Sequence, residues 1–315
     1  MRALHVPAVG EHERLSEVPV PAVRRGTVLV RVRAAALNAV DNVIAVGMLT
    51  ARWPRAYPVI LGRDAAGVVA AVGPGVDHVR VGDEVFGTVG LTPPIQAGTL
   101  AEYALMPAAS VAVKPAGLDF VTAAAIPFAG TVATAAVRAV DPLPGETVLV
   151  NGASGGVGSF AVQLLAARRA TVVATGTADS TERLLRLGAA TVVDHTVAPV
   201  AGQVRRAYPA GVDGLIDLVA YTAGTLPLPA VARGGKVVST LGSADPEALA
   251  VLGLTGPELV ADTGRELIGR LADQVAAGRL TVDVTAVLSL EQAADGLRTI
   301  ATGNARGKIV VSLAG

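Results

Sequence analysis

Val148-Leu149-Val150-Asn151-Gly152-Ala153-Ser154-Gly155-Gly156-Val157-Gly158 decides the fold. An apolar run of strand type passes through four glycines in seven residues. It then enters a stretch with Val157, Phe160, Ala161, Leu164 and Leu165 on one face, the i, i+3, i+4, i+7, i+8 stripe of an amphipathic helix. Gly152 suits the tight turn, Gly155 and Gly156 let the backbone approach a pyrophosphate, and Gly158 lets the helix lie close to the strand. Free N–H groups at the helix start, those of Ser154 to Gly158 among them, then face an anion. A merely tight strand-to-helix turn is the competing reading, and the glycine count in this context weighs against it. The expectation is a dinucleotide site on a doubly wound sheet.

The chain on either side agrees. ATVVATG (Ala170–Gly176) reads as a second strand. ERLLRLGA, ATVVDH, VDGLIDLVA and GGKVVSTLG continue the alternation of helix and strand that a parallel sheet requires. Where such a second strand ends, an enzyme for the non-phosphorylated dinucleotide usually places a carboxylate on the adenosine ribose. Here stand Thr175, Gly176 and Thr177, with Arg183 close behind, a set suited to a 2′-phosphate. Asp179 in the same stretch argues the other way, and Arg183 has the alternative of a solvated pair with Glu182. NADPH (NADP) is the cofactor this pattern favours.

Upstream, the grain differs. Thr27–Leu37, Ala65–Gly73, Val81–Val89, AEYALMP and SVAVKP are short Val-rich runs between glycines and prolines, the texture of a compact barrel-like β domain. It changes at Asp119, where an Ala-rich helical stretch begins and is interrupted at Pro127. From about Thr263 a long helix, TAVLSL, a short helix and KIVVSL close the chain. The expected division is a β domain over 1–118, completed by 257–315, and a dinucleotide-binding domain over 119–256.

Composition bounds the rest. The 315 residues suit two domains, and 51% hydrophobic against 17% charged excludes a disordered chain. No apolar run reaches the ~18 residues of a membrane span, and the N-terminus lacks the apolar core of a secretory signal. A cytoplasmic location follows as an expectation. Basic and acidic residues balance at 26 each with no basic cluster, so neither nucleic acid nor membrane is expected as a partner. There is no cysteine, which excludes disulfides, thiol nucleophiles and cysteine-ligated metals.

Several motifs in order resemble the medium-chain dehydrogenase/reductase superfamily, in particular its zinc-independent quinone oxidoreductase (zeta-crystallin-like) branch. They are Leu37-Asn38-Ala39-Val40-Asp41 followed by Gly47, Pro58 through Gly62-Arg63-Asp64 to Gly67, Gly82-Asp83-Glu84-Val85, Gly98 to Tyr103, the glycine turn, Leu187-Gly188-Ala189, and Gly307-Lys308-Ile309-Val310. The resemblance implies a GroES-like β domain joined to a Rossmann domain, with the active site in the cleft between them. It implies that Thr131 and the loop after Thr240, with Leu241 and Gly242, lie near the nicotinamide. It puts His195 where relatives carry a tyrosine beside the adenine, with a plain surface histidine as the alternative. The zinc enzymes' Gly-His-Glu motif reads Gly62-Arg63-Asp64 here, and the four histidines fall outside the ligand motifs, so no metal is expected.

Chemistry that suits such a protein is hydride transfer to an activated acceptor, a hydrophobic quinone or α,β-unsaturated carbonyl. By resemblance Asn38 is the candidate donor to the developing enolate and Asp41 its organiser, in a cleft with Met48 and Leu49. Asn38 capping a turn and Asp41 capping the next helix is the alternative reading of both. No proton donor is evident, which leaves solvent. Two other classes stay open: an enoyl-thioester reductase or a non-redox pathway enzyme on this fold, and an NADPH-binding structural or regulatory protein. A homodimer is expected, with Ala248–Gly253 (ALAVLG) as the edge strand that two subunits would pair.

Overall fold

A computed structural model describes residues 1–48, 50, 54–303 and 305–313. The chain forms two compact units, Met1–Ala129 with Thr263–Gly315, and Gly130–Asp262. In the first, β1 (Arg2–Val6), β2 (Arg14–Glu17), β3 (Thr27–Ala36), α1 (Ala39–Ala45), β4 (Val59–Ile60), β5 (Asp64–Val72), β6 (Glu84–Thr88), β7 (Tyr103–Pro107) and β8 (Val111–Val113) follow in turn. The change of grain at Asp119 is a helix cap: its carboxylate accepts the Thr122 N–H at 2.7 Å and starts α2 (Phe120–Ala124). Pro127 then opens α3 (Pro127–Val140), as a residue with no N–H to offer does at a first helical turn. The contact boundary therefore falls beyond α2, which packs on β3 and β5 of the first unit.

The second unit is the alternating one. β9 (Thr147–Asn151), α4 (Gly156–Ala167), β10 (Thr171–Gly176), α5 (Thr181–Arg186), β11 (Thr191–Asp194), α6 (Val200–Ala207), β12 (Val212–Asp217) and β13 (Val231–Ser239) build one sheet in the order β11-β10-β9-β12-β13. Every pair in it is parallel. The order reverses direction between β9 and β12, which makes their carboxyl ends the topological switch point where such sheets bind ligands. Leu149, Val173, Val193 and Leu215 bury the sheet centre.

One expectation fails here. Ala248–Gly253 is not an edge strand, because α7 (Pro246–Val251) takes most of it. Asp245 accepts the Glu247 N–H at 2.9 Å and Pro246 occupies the first turn, a start signal that a six-residue apolar run does not override. Only Leu249 of this helix is buried, and Val251 is 86% exposed. The edge position beside β13 is held by Gly253 and Thr255, through Gly234 N–H to Gly253 O (2.8 Å) and Val237 N–H to Thr255 O (2.8 Å).

The chain then returns to the first unit with α8 (Arg265–Ala276), β14 (Val284–Leu288), α9 (Ala293–Ala301) and β15 (Lys308–Ser312). Its seven-stranded sheet runs β14-β15-β3-β5-β6-β8, with β7 also on β3, and β2-β1-β4 form a smaller sheet. β3 is the hub: Ala36 pairs with Val310 on one side and with Asp64 on the other. That register brings residues from three distant stretches to one place. Among the described residues, no helix is long and apolar enough to cross a membrane.

Candidate active site

In the second unit the glycine turn has the geometry its composition demands. Gly152 sits at φ +87°, a conformation that side chains strain against, and Gly155 is the N-cap of α4. A Cβ on Gly158 would stand 2.3 Å from the Gly152 carbonyl oxygen and 2.5 Å from Ala153 Cα, so only glycine lets α4 begin this close to β9. The α4 residues Gly156 and Val157 follow the cap, leaving the helix start open to an anion.

Around the turn, the predicted residues divide. Arg183 donates from Nη2 to the Ser154 carbonyl at 2.7 Å, which holds its guanidinium beside the turn. Its alternative partner is taken, since Glu182 pairs with Arg186 at 2.6 Å. Thr177 donates to Asp179 at 2.5 Å. His195, exposed at the end of β11, is bonded through Nδ1 to Gly176 O at 2.7 Å. Thr131 is buried in α3, and Leu241 and Gly242 form the turn after β13, where Ser239 Oγ accepts the Leu241 N–H.

Thr175 requires a correction. Expected at the ribose, it is 2% exposed, and its hydroxyl accepts the Gly152 N–H at 2.8 Å and donates to Asn151 Oδ1 at 3.3 Å. The hydroxyl's one proton and one of its two lone pairs are engaged in steadying the glycine turn. Asn151 in turn donates to Asp217 Oδ1 at 2.7 Å, so a polar chain crosses the carboxyl ends of β10, β9 and β12. Sequence reasoning missed Asn151 and Asp217. A cavity of about 260 Å³ opens at this switch point, lined by Asn151, Val219, Ala220, Tyr221, Thr222 and Thr225.

The first unit holds a buried polar cluster. Asn38, Asp41, Arg63, Asp64 and Lys308 are all buried. Asn38 caps α1, and Asp41 accepts its N–H at 2.8 Å, so the capping reading describes the backbone here. The Asn38 amide points inward. Its Nδ2 donates to Asp64 (3.0 Å) and toward Ala36 O (3.4 Å), while Oδ1 accepts from Lys308 at 2.6 Å. An amide so engaged has no hydrogen left for an enolate, which corrects the donor expectation. Lys308 also donates to Leu37 O at 3.0 Å and lies 4.0 Å from Asp64 Oδ2. Asp64 Oδ1 accepts the Phe128 N–H at 3.0 Å. Leu49 lies outside the described residues.

Arg63, Asp64 and Lys308 are the residues the sequence reading took only as motif letters. The Arg63 guanidinium faces Asp41 at 3.7 Å and donates to the carbonyls of Ile60, Gly90 and Ala97 at 2.8–3.2 Å. Burial, the larger influence, pushes the Asp64 carboxyl up to about 6 against the pull of Lys308 and Asn38. Burial likewise raises Asp41 and lowers Lys308.

A glycine-bound helix start at the switch point of a parallel sheet, in a chain with a mainly antiparallel β unit, defines a dinucleotide-dependent oxidoreductase. Residues 24–116 match the alcohol dehydrogenase GroES-like domain and residues 187–311 the zinc-binding dehydrogenase family. The chain is 32% identical to 2-methylene-furan-3-one reductase of Solanum lycopersicum, over 94% of this chain and 74% of that one. It is 30% identical, with the same coverage, to the chloroplastic NADPH-dependent alkenal/one oxidoreductase of Arabidopsis thaliana. The solved quinone oxidoreductase of Coxiella burnetii superposes with a TM-score of 0.90 at 26% identity, covering 100% of this chain and 99% of that one. The chain belongs to the medium-chain dehydrogenase/reductase superfamily, among its quinone and alkenal/one oxidoreductases.

The zinc in one family description does not fit these residues. Where a metal motif would stand, a buried guanidinium is lodged, and the two carboxylates beside it are committed to Arg63, Lys308, Asn38 and backbone N–H groups. Among the described residues, no three or more His, Cys, Asp or Glu side chains gather to hold a metal ion.

Proposed function

We propose that this chain is a metal-independent, NADPH-dependent reductase of activated acceptors, namely hydrophobic quinones and α,β-unsaturated carbonyl compounds. The observation that carries the reading is Arg63, a fixed cation held by Asp41 and three carbonyls in the stretch where relatives using zinc keep a ligand. With no Lewis acid to polarise a plain carbonyl, the acceptor must delocalise charge by its own conjugation. When bound, the reduced nicotinamide supplies the hydride. The glycine turn takes the pyrophosphate. Arg183, steadied by the Ser154 carbonyl and with Thr177 near the same strand end, pairs the 2′-phosphate. His195 lies toward the adenine, and Thr131, Leu241 and Gly242 toward the nicotinamide. Asn38 and Asp41 are positioning residues: they hold α1, Asp64 and Lys308 in register. The final proton comes from solvent. The enzyme is homodimeric in this reading, which rests there on family resemblance.

The test is NADPH oxidation with 1,4-benzoquinone, 9,10-phenanthrenequinone, a simple enone and an enoyl thioester, with and without chelator. Quinones and enones should turn over in both conditions, and saturated ketones and primary alcohols should not. NADPH deuterated at C4, each face in turn, should deliver label to the carbon β to the enone carbonyl. Stoichiometric binding without oxidation across the panel overturns the proposal in favour of a non-redox role, and loss of turnover on chelation overturns its metal independence.

A further inference from the structure

Among the described residues, Asp217 is a buried carboxylate without a cation. It ends β12 at the switch point with 0% of its surface exposed. Oδ1 accepts from Asn151 Nδ2 at 2.7 Å, and Oδ2 accepts the N–H of Ala220 at 2.9 Å and of Val219 at 3.4 Å. All three partners are donors. A neutral carboxylic acid would need an acceptor for its proton, so this set describes the ionised form. Burial raises the group above the usual carboxylate range, and those same donors act against the rise. Asp41 and Asp64 of the first unit, by contrast, each have a cation at 3.7–4.0 Å.

A carboxylate held only by dipoles keeps its field. That field reaches the cavity of about 260 Å³ at the carboxyl ends of β9 and β12, because Asn151, Val219 and Ala220 are at once Asp217's donors and part of its wall. The position of this cavity along a bound dinucleotide follows from the sheet. Arg183, Thr177 and His195 lie at the β10 and β11 end of the sheet, the side the proposed function gives to the adenosine, and the glycine turn would take the pyrophosphate. A dinucleotide so placed would carry its nicotinamide half to the other side of β9, toward β12 and β13. A bound reduced nicotinamide that gave up its C4 hydride would become a ring with one positive charge. The acceptor gains the hydride and a negative charge, which a solvent proton then neutralises.

We propose that Asp217 is the counter-charge to the oxidised nicotinamide, a buried anion one side chain behind the cavity wall that favours the cationic ring over the neutral one. This rests on the reading of the chain as an NADPH-dependent reductase. It adds a role for a group outside the glycine turn: hydride donation is made easier because its cationic product is stabilised in advance. Asn151 and the Ala220 N–H hold the charge at a fixed place, so no reorganisation accompanies the change.

The experiment compares the dissociation constants of NADP+ and NADPH, by fluorescence and calorimetric titration of the full chain. Asp217→Asn should raise the ratio Kd(NADP+)/Kd(NADPH) about tenfold, the scale of a charge–charge interaction across a partly hydrated wall. Asp217→Glu should leave the ratio near that of the native protein. Asp217→Ser, whose hydroxyl can still accept the Ala220 N–H, serves the same purpose if the amide variant does not fold. A ratio unmoved in the neutral variants overturns the proposal, as does an equal loss of both cofactors, which is what a purely structural Asp217 would give. These outcomes are separate from the reductase reading, whose failure shows as absent turnover in the native protein.

Discussion

Lys308→Met tests the buried cluster most directly. The native ammonium makes hydrogen bonds of 2.6 Å to Asn38 Oδ1 and 3.0 Å to Leu37 O, and balances Asp64 at 4.0 Å. Methionine fills the volume but leaves both oxygens without a donor and Asp64 without its ion. Breaking a buried pair from one side costs about 3–5 kcal/mol, because the remaining charge stays desolvated. Some of that is relieved by protonation, since Asp64 already sits near 6 and would rise further. A loss of about 4 kcal/mol lowers Tm by about 8–16 °C in a cooperative unit of 150–250 residues. Calorimetric unfolding of the single variant, of Asp64→Asn and of the double variant completes a cycle. The double variant should be less damaged than the two single losses summed, by about 1–3 kcal/mol. A single loss under about 1 kcal/mol, or additivity within about 0.5 kcal/mol, would refute the claim that these residues act as one network.

Two further outcomes are expected. Arg183→Ala should weaken NADPH by about 1–3 kcal/mol and leave NADH nearly unchanged; equal losses for the two cofactors in a titration would remove Arg183 from the 2′-phosphate. The second is a pH dependence. Asp64 is raised from 3.8 to about 6 on folding, so between those values the folded chain holds the proton more firmly than the unfolded one. Its contribution to stability therefore falls as pH rises through that window and is constant above it. Chemical denaturation at intervals from pH 4 to 7 should give a shallower fall for Asp64→Asn than for the native chain.

What the sequence made legible, and what it hid, follows from how local each constraint is. The glycine turn could be read because residue type alone enforces it: the positive φ at Gly152 and the missing space at Gly158 are properties of adjacent residues. Thr175 misled because a hydroxyl at a strand end serves a ligand or a neighbouring turn equally well in the sequence, and only the bond from Gly152 N–H decides. The helix at Pro246–Val251 was misread although Asp245-Pro246 carried the signal, since a short apolar run has no period of its own. The cluster of Asn38, Asp64 and Lys308 was out of reach altogether. Its members lie 26 and 270 residues apart, and they meet because Ala36 of β3 pairs with both Asp64 and Val310, a register no single sequence displays.

The buried carboxylates of the two units are held in opposite ways. In the first unit Arg63 and Lys308 answer Asp41 and Asp64. A charge answered at close range by its opposite presents little field outside the cluster, so this set fastens strands and α1 without biasing a reaction. Arg63, donating to the carbonyls of Ile60, Gly90 and Ala97, ties three stretches of the first unit together in the same place. In the second unit, among the described residues, Asp217 is answered by an amide and two backbone N–H groups. Dipoles lower the cost of burying a charge without cancelling it, and a charge left uncancelled beside a binding cavity acts on whatever charge develops there. Placing a lysine within reach of Asp217 would improve the local pairing and, by the same reasoning, remove its preference for a cationic ring.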